Sequence, residues 1–274
     1  MGESTPSPHP AGTLPKASRG TSILMDLPLG RIEAALELPT GPVRLVGFAF
    51  NLLGLSSAAA DMAQRQIEKL GRKVSCRKGC GACCRQIVPL SPLEATMVSE
   101  MVGSLAGPER GHVTARFADI EARLKETGLW DKLWRRIGDP FPTEAETRAI
   151  GREYFELGLP CPFLEDESCS IHEVRPSACR EYLVTTPSEN CADPFNRPIE
   201  KVNVSLRLSE TFARLFAALL KETPRIVPLT LSLAWARQNP NVSSLGAQGG
   251  ALLEFAEAAF KESGGSVKFH CAGE

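Results

Sequence analysis

Eight of the chain's nine cysteines lie between Cys76 and Cys191, in two groups, and this clustering constrains the fold more than any other feature. The first group is Cys76, Cys80, Cys83 and Cys84, with Gly79 and Gly81 on either side of Cys80. The second opens with Cys161-Pro162-Phe163-Leu164 and runs through Cys169, Ile171, His172, Glu173, Arg175, Pro176, Cys179 and Arg180 to Cys191. A metal needs several thiolates close together, and short loops supply two or three with little added closure entropy. Glycine permits the tight turns that such wrapping requires. Thiolate sulfur is a soft donor that suits Zn(II), iron–sulfur and Cu(I), not Mg or Ca. Eight thiolates suffice for two four-cysteine sites or for one polynuclear cluster.

The metal ligands expected on this basis are Cys76, Cys80, Cys83, Cys84, Cys161, Cys169 and Cys179, with Cys191 as the eighth. Cys191 carries the weakest claim, because it follows Cys179 at a distance through a turn-rich stretch. Cys271 stands alone near the C-terminus and reads as a free surface or tail thiol. His172 could add a nitrogen ligand, but a lone His beside Ile171 reads better as packed or solvent-facing. Arg175 and Arg180 sit within the second group, where cations would stabilise concentrated thiolate charge and tune a bound cluster. Arg77, Lys78 and Arg85 also sit beside the thiolates, and for Arg77 and Lys78 solvated surface charge is an equal reading.

The surrounding sequence sets the compartment and the partners expected. Met1 to Thr21 is rich in Ser, Pro, Gly and Thr and lacks an apolar run behind a basic stretch, so it reads as a tail and not a secretory signal. Leu45 to Ala60 is the most apolar stretch, but Asn51, Ser56 and Ser57 interrupt it short of the roughly 20 apolar residues of a membrane helix. A cytoplasmic, reducing location is therefore expected, and there clustered cysteines point to metal or redox chemistry before disulfides. The 31 Lys and Arg residues against 32 Asp and Glu create no field for gathering nucleic acid or an anionic membrane. A protein partner is the one macromolecular class left open.

Ordinary composition, 43% hydrophobic and 23% charged, allows a sizeable core independent of any metal. Ile32, Ala34, Leu36 and Leu38 alternate up to a Pro39-Thr40-Gly41-Pro42 turn, and Val43 and Leu45 flank Arg44, which predicts a small N-terminal β-hairpin. Helices are expected from Ser56 to Leu70, from a capping box at Ser91-Pro92-Leu93-Glu94, and from a second box at Thr143 and Glu146 to about Leu157. Further apolar stripes run through Val113, Phe117, Ile120 and Leu124, through Leu208, Phe212, Leu215 and Leu219, and through Leu252, Phe255 and Ala259. The second cysteine group is rich in Pro and Ser and reads as loops with short helical turns. The expected architecture is mainly α, with irregular cysteine-rich metal-binding loops. Its expected divisions are a tail over 1–22, hairpin and helix over 23–70, the cysteine-cluster domain over 71–200 and a helical region over 201–274.

The two groups together resemble the YkgJ-type cysteine-cluster family, described as a zinc- or iron-chelating domain. The resemblance falls on Cys80 to Cys84, on the Cys161-Pro162-Phe163-Leu164 box, and on Cys169 to Arg180, in the family's order. His172 stands where the family usually has Tyr. The resemblance implies an iron–sulfur cluster or Zn2+ as cofactor. Related clusters in flagellin lysine methylases lean it toward iron–sulfur.

Three other functions compete. Cys76-x-x-x-Cys80-x-x-Cys83 has the spacing of radical S-adenosylmethionine enzymes, but the strands of a β/α barrel are missing after Cys84. A structural zinc module would need only closed four-thiolate sites for a protein partner. Metal storage or delivery would need exposed, exchangeable thiolates. No phosphate-cradling Gly loop, His-Glu-x-x-His or Gly-x-Ser-x-Gly is present, so catalytic residues stay unknown, as does whether the chain is an enzyme.

Overall fold

The strand pattern at the N-terminus forms a hairpin, but with a different partner from the one the alternation predicts. The computed structural model describes residues 18–39, 41–139, 143–262 and 266–271. Strand β1 (Ser18–Leu27) turns back into β2 (Gly30–Pro39), pairing Met25 with Ile32 and Leu27 with Gly30. Residues 18–22, assigned by composition to a tail, are therefore strand. The expected return strand is β3 (Pro42–Arg44), and it pairs instead with β8 (Gly246–Gln248), setting Val43 opposite Ala247. The reason is local: the next helix begins at Leu45, whose N–H donates to Leu245 O at 2.9 Å, so the chain leaves the hairpin at once. The Arg44 guanidinium holds this junction by donating to Ser243 O and pairing with Glu100.

Helix α1 spans Leu45–Lys69, eleven residues earlier than the expected start at Ser56. Leu45, Phe48, Leu52, Leu55, Ala59 and Ala63 are buried at spacings of three and four, one continuous stripe that runs through the Ser56-Ser57 interruption. At 25 residues it is long and apolar enough, by length and composition, to cross a membrane, and 56% of its most apolar window is buried within the fold.

The first cysteine group follows, then the short β4 (Pro89–Leu90) and α2 (Pro92–Ser104). Both halves of the predicted capping box are made at Ser91 and Glu94. Helix α2 is buried on nearly every side from Pro92 to Val98, the pattern of a helix at the centre of a bundle. Helices α3 (Gly107–Glu126), α4 (Leu129–Ile137) and α5 (Glu144–Glu156) then form a flank. Val113, Phe117, Ile120 and Leu124 are all buried on α3, as their spacing predicts. Helix α4, which went unread in the sequence, buries Leu129, Leu133 and Ile137. Thr143 and Glu146 cap α5 reciprocally.

The second cysteine group contains a two-residue hairpin, β5 (Leu164–Glu165) with β6 (Ser168–Cys169), and the five-residue α6 (Ser177–Glu181). The chain closes with α7 (Leu208–Leu220), β7 (Val227–Pro228), α8 (Ser232–Gln238), β8, α9 (Gly249–Glu262) and β9 (Ser266–Cys271). Strand β9 adds to the free edge of β1, opposing Thr21 with Cys271. The backbone of Cys271 therefore lies in a sheet, not a tail. Leu208, Phe212 and Leu215 are buried on α7 as expected. On α9 the predicted stripe is rotated: Phe255 is 38% exposed, while Leu252, Leu253, Ala256, Ala259 and Phe260 are buried. One cluster of buried apolar side chains runs from Met25 to Phe260 and carries the cysteine loops on its surface.

Candidate metal centre

The two cysteine groups, about 80 residues apart in sequence, meet through specific bonds. Cys161 N donates to Cys84 O at 2.7 Å, and Gln86 Nε2 donates to Cys191 O at 3.4 Å. Ser75 N donates to Val184 O at 2.9 Å, setting Cys76 beside the end of the second group, and the Cys76 thiol reaches Tyr182 O at 3.8 Å. Within the first group, Cys80 N to Arg77 O and Cys84 N to Gly81 O form successive tight turns. Gly79 supplies the left-handed residue, at φ +82°. Gly81 answers a different need, because a Cβ there would come within 2.7 Å of Leu164 Cδ1 and 2.8 Å of Glu167 O. It lets the β5–β6 turn lie directly on the first loop. Arg85 secures that contact with two bonds to the Glu167 carboxylate, at 2.6 and 3.1 Å. Arg85 therefore bridges the two groups.

All eight clustered cysteines line one cavity of about 270 Å³, together with His172, Arg175 and Arg180. Val88, Phe163, Ile171 and Leu229 supply apolar wall. Seven of the thiols are part-buried and Cys191 is buried. No three His, Cys, Asp or Glu side chains among the described residues stand close enough, as placed, to hold a metal ion. The thiols instead surround a space wider than one ion.

The electrostatics follow from packing so many thiols around one space. Burial pushes Cys161 up to about 12 and Cys191 up to about 11, and it raises Cys76, Cys169 and Cys179 as well. Cys83 is the exception: the Cys84 thiol donates to it and lowers it to about 7, while Cys84 itself is raised. Cys83 is also the common neighbour, acting on Cys76, Cys84, Cys161, Cys169, Cys179 and Cys191. Such thiols ionise together only if positive charge is brought among them, which Arg175 does in part and a bound metal would do in full.

The two arginines of the second group differ in what they do. Arg175 favours the thiolates of Cys76, Cys83, Cys169 and Cys179, and its Nε is buried with no hydrogen-bond partner among the described residues. A buried, unpartnered donor at the edge of a thiol-lined space fits a sulfur acceptor. Arg180 is 8% exposed and is spent on the backbone and α1: it donates to Arg175 O, Glu173 O and Ser57 Oγ. The His172 ring nitrogens face Arg175 and Glu173, and burial followed by the Arg175 charge lowers its pKa. Arg77 and Lys78 line the cavity mouth, and Lys78 is 3.8 Å from an exposed Glu173.

Residues 75–197 match the family model CxxCxxCC, described as a putative zinc- or iron-chelating domain. The match takes in both cysteine groups. No curated protein and no solved structure matches the chain. The match supports metal binding by the cysteine-cluster domain, and the soft donor set around its cavity fits either metal in the description.

Sequence reasoning passed over Tyr182 and Gln86. Tyr182 lines the thiol cavity next to Cys191, and burial raises it to about 12. Its place directly after Cys179-Arg180-Glu181 was the available signal. Gln86 carried none, since its partner, the Cys191 carbonyl, is 105 residues away. Glu181 sits close in sequence but is turned to cap α7, accepting from Ser209 N at 3.1 Å and Ser209 Oγ at 2.6 Å.

Proposed function

We propose that the cysteine-cluster domain holds one polynuclear thiolate-ligated centre, iron–sulfur in preference to zinc. Its ligands are drawn from Cys76, Cys80, Cys83, Cys84, Cys161, Cys169, Cys179 and Cys191. The observation that carries this reading is that both groups line one cavity of about 270 Å³. A single ion is satisfied by four donors in a tighter shell, whereas eight thiols around a wider space suit a cluster with bridging atoms. When bound, an iron–sulfur centre supplies electron transfer. The chain's own residues do the rest: Arg175 Nε is free to donate to sulfur, and Val88, Phe163, Ile171 and Leu229 limit water. The cytoplasm is the proposed location, because a reducing compartment keeps these thiols available.

The test is metal and acid-labile sulfide analysis with a visible spectrum on protein purified without oxygen. Iron with stoichiometric sulfide and a chromophore that bleaches on reduction is the expected result. Zinc without visible absorption would replace the cluster by a structural module for a protein partner. Full free thiol without metal would overturn the reading.

A further inference from the structure

A second cavity, of about 890 Å³, adjoins the thiol cavity and shares Tyr182 with it. A third, of about 320 Å³, is lined by Cys83, Cys179, Gln86, Tyr182 and Lys201 and so has residues in common with both. The walls of the 890 Å³ cavity come from the end of α4, the middle of α5, residues 194–201 and residues 224–228. Its volume is that of a site for a small organic molecule.

Two properties of the lining select the ligand. Ile150, Phe195 and Ile226 are apolar, and Ile226 remains 42% exposed. Phe195 is held in place: the Arg148 and Arg152 guanidinium groups lie over its ring at 5.6 and 5.0 Å, and both donate to its carbonyl. Charge is the second property. Among the described residues, Arg136, Arg148, Arg197 and Lys201 line the cavity against a single acid, Asp139. Arg136 is taken up by Asp139 and Thr147, and Arg197 lies 4.0 Å from Asp193. Arg148 and Lys201 enter no ion pair among the described residues, and Lys201 sits over the Tyr182 ring at 5.1 Å. A neutral ligand would strip water from these cations without replacing it, whereas an anion restores a partner.

We propose that this cavity binds a small organic anion, a carboxylate or an equivalent oxyanion on an aromatic or acyl body, held by Arg148 and Lys201 with its apolar part against Phe195 and Ile226. Its position sets the ligand beside the Tyr182 wall of the thiol cavity. Binding requires no particular metal there, so it stands or falls apart from the metal reading.

Isothermal titration of the purified full chain with 1-naphthoate, and with neutral 1-naphthamide of the same shape, tests this. Naphthoate is expected to bind at one saturable site, at least about tenfold more tightly than naphthamide, as a charge-assisted hydrogen bond supplies. Arg148→Ala and Lys201→Ala should each remove that preference, with metal content equal to the parent's. Lys201→Ala provides an independent answer if loss of the Arg148–Phe195 contact disturbs folding. Equal affinity for the two probes, absence of naphthoate binding, or unchanged naphthoate affinity in both variants would overturn the assignment.

Discussion

Cys83 is the thiol whose ionisation the Cys84 thiol favours, and its charge disfavours that of six other clustered cysteines. Cys83→Ser and Cys179→Ser, one from each group, should each lower bound metal measured by elemental analysis, and Cys271→Ser should not. Unchanged metal in both of the first two would rule out a site shared between groups. Gly81→Ala makes a sharper steric demand, since its Cβ would meet the Glu167 backbone carbonyl as well as the Leu164 side chain. Overpacking of this kind costs about 1–3 kcal/mol. A lowered denaturant midpoint together with reduced metal is expected, and parent-like values of both would show that the β5–β6 turn can shift freely. The candidate donors were readable in the sequence because residue type decides metal affinity. The division of labour between Arg175 and Arg180 was not, because it depends on which guanidinium meets backbone carbonyls and which keeps a buried Nε without a partner among the described residues.

At the scale of elements, the Ser91–Glu94 capping box does more than start α2. Glu94 Oε2 accepts from Ser91 N and Oγ, while Oε1 accepts from Ser177 N at 2.9 Å, at the start of the helix that carries Cys179. Glu94→Ala would leave two buried backbone donors unsatisfied, at about 1–3 kcal/mol each. Ser91→Ala, which removes only the cap, should cost about 1 kcal/mol. Chemical denaturation of the two variants should rank them in that order, and the reverse order would mean that the tie to α6 contributes nothing. The exposed box at Thr143 and Glu146 has a pH signature. Hydrogen bonds from Thr143 hold the Glu146 carboxylate below its usual range. A folded-state pKa below the unfolded one adds stability above the unfolded value and loses it as pH falls through the folded value. The stability difference between the parent and Thr143→Ala should therefore shrink below a pH of about 4, where carboxylates protonate. A difference that stayed constant from neutral pH to acid would exclude a charged cap. Both boxes were legible in the sequence, being contacts between residues three apart. The partner of β3 was not, because it lies some 200 residues further along the chain.

For the whole molecule, the buried apolar cluster reaches from the first hairpin to α9 with no cysteine among its buried members, Cys76, Cys161 and Cys169 being packed against it. Metal therefore should not be what holds the helices together. Removing it with a chelator should leave most of the far-UV helical signal intact. Amide protection should fall in residues 75–88 and 161–191, where short turns and a few cross-links such as Arg85–Glu167 replace extended secondary structure. Global unfolding on chelation would place the metal within the core's own stability.

By itself the sequence determined the mainly helical class, both capping boxes, most apolar stripes and which thiols are the candidate donors. Each of these depends on residues within a few positions of one another or on side-chain chemistry alone. Only the tertiary structure decided that the two cysteine groups face one cavity, that β9 joins the edge of β1, and that Tyr182 stands between the thiols and a cation-lined cavity. Those features rest on contacts between segments tens to hundreds of residues apart, and periodicity carries no record of which distant segment a packed face will meet.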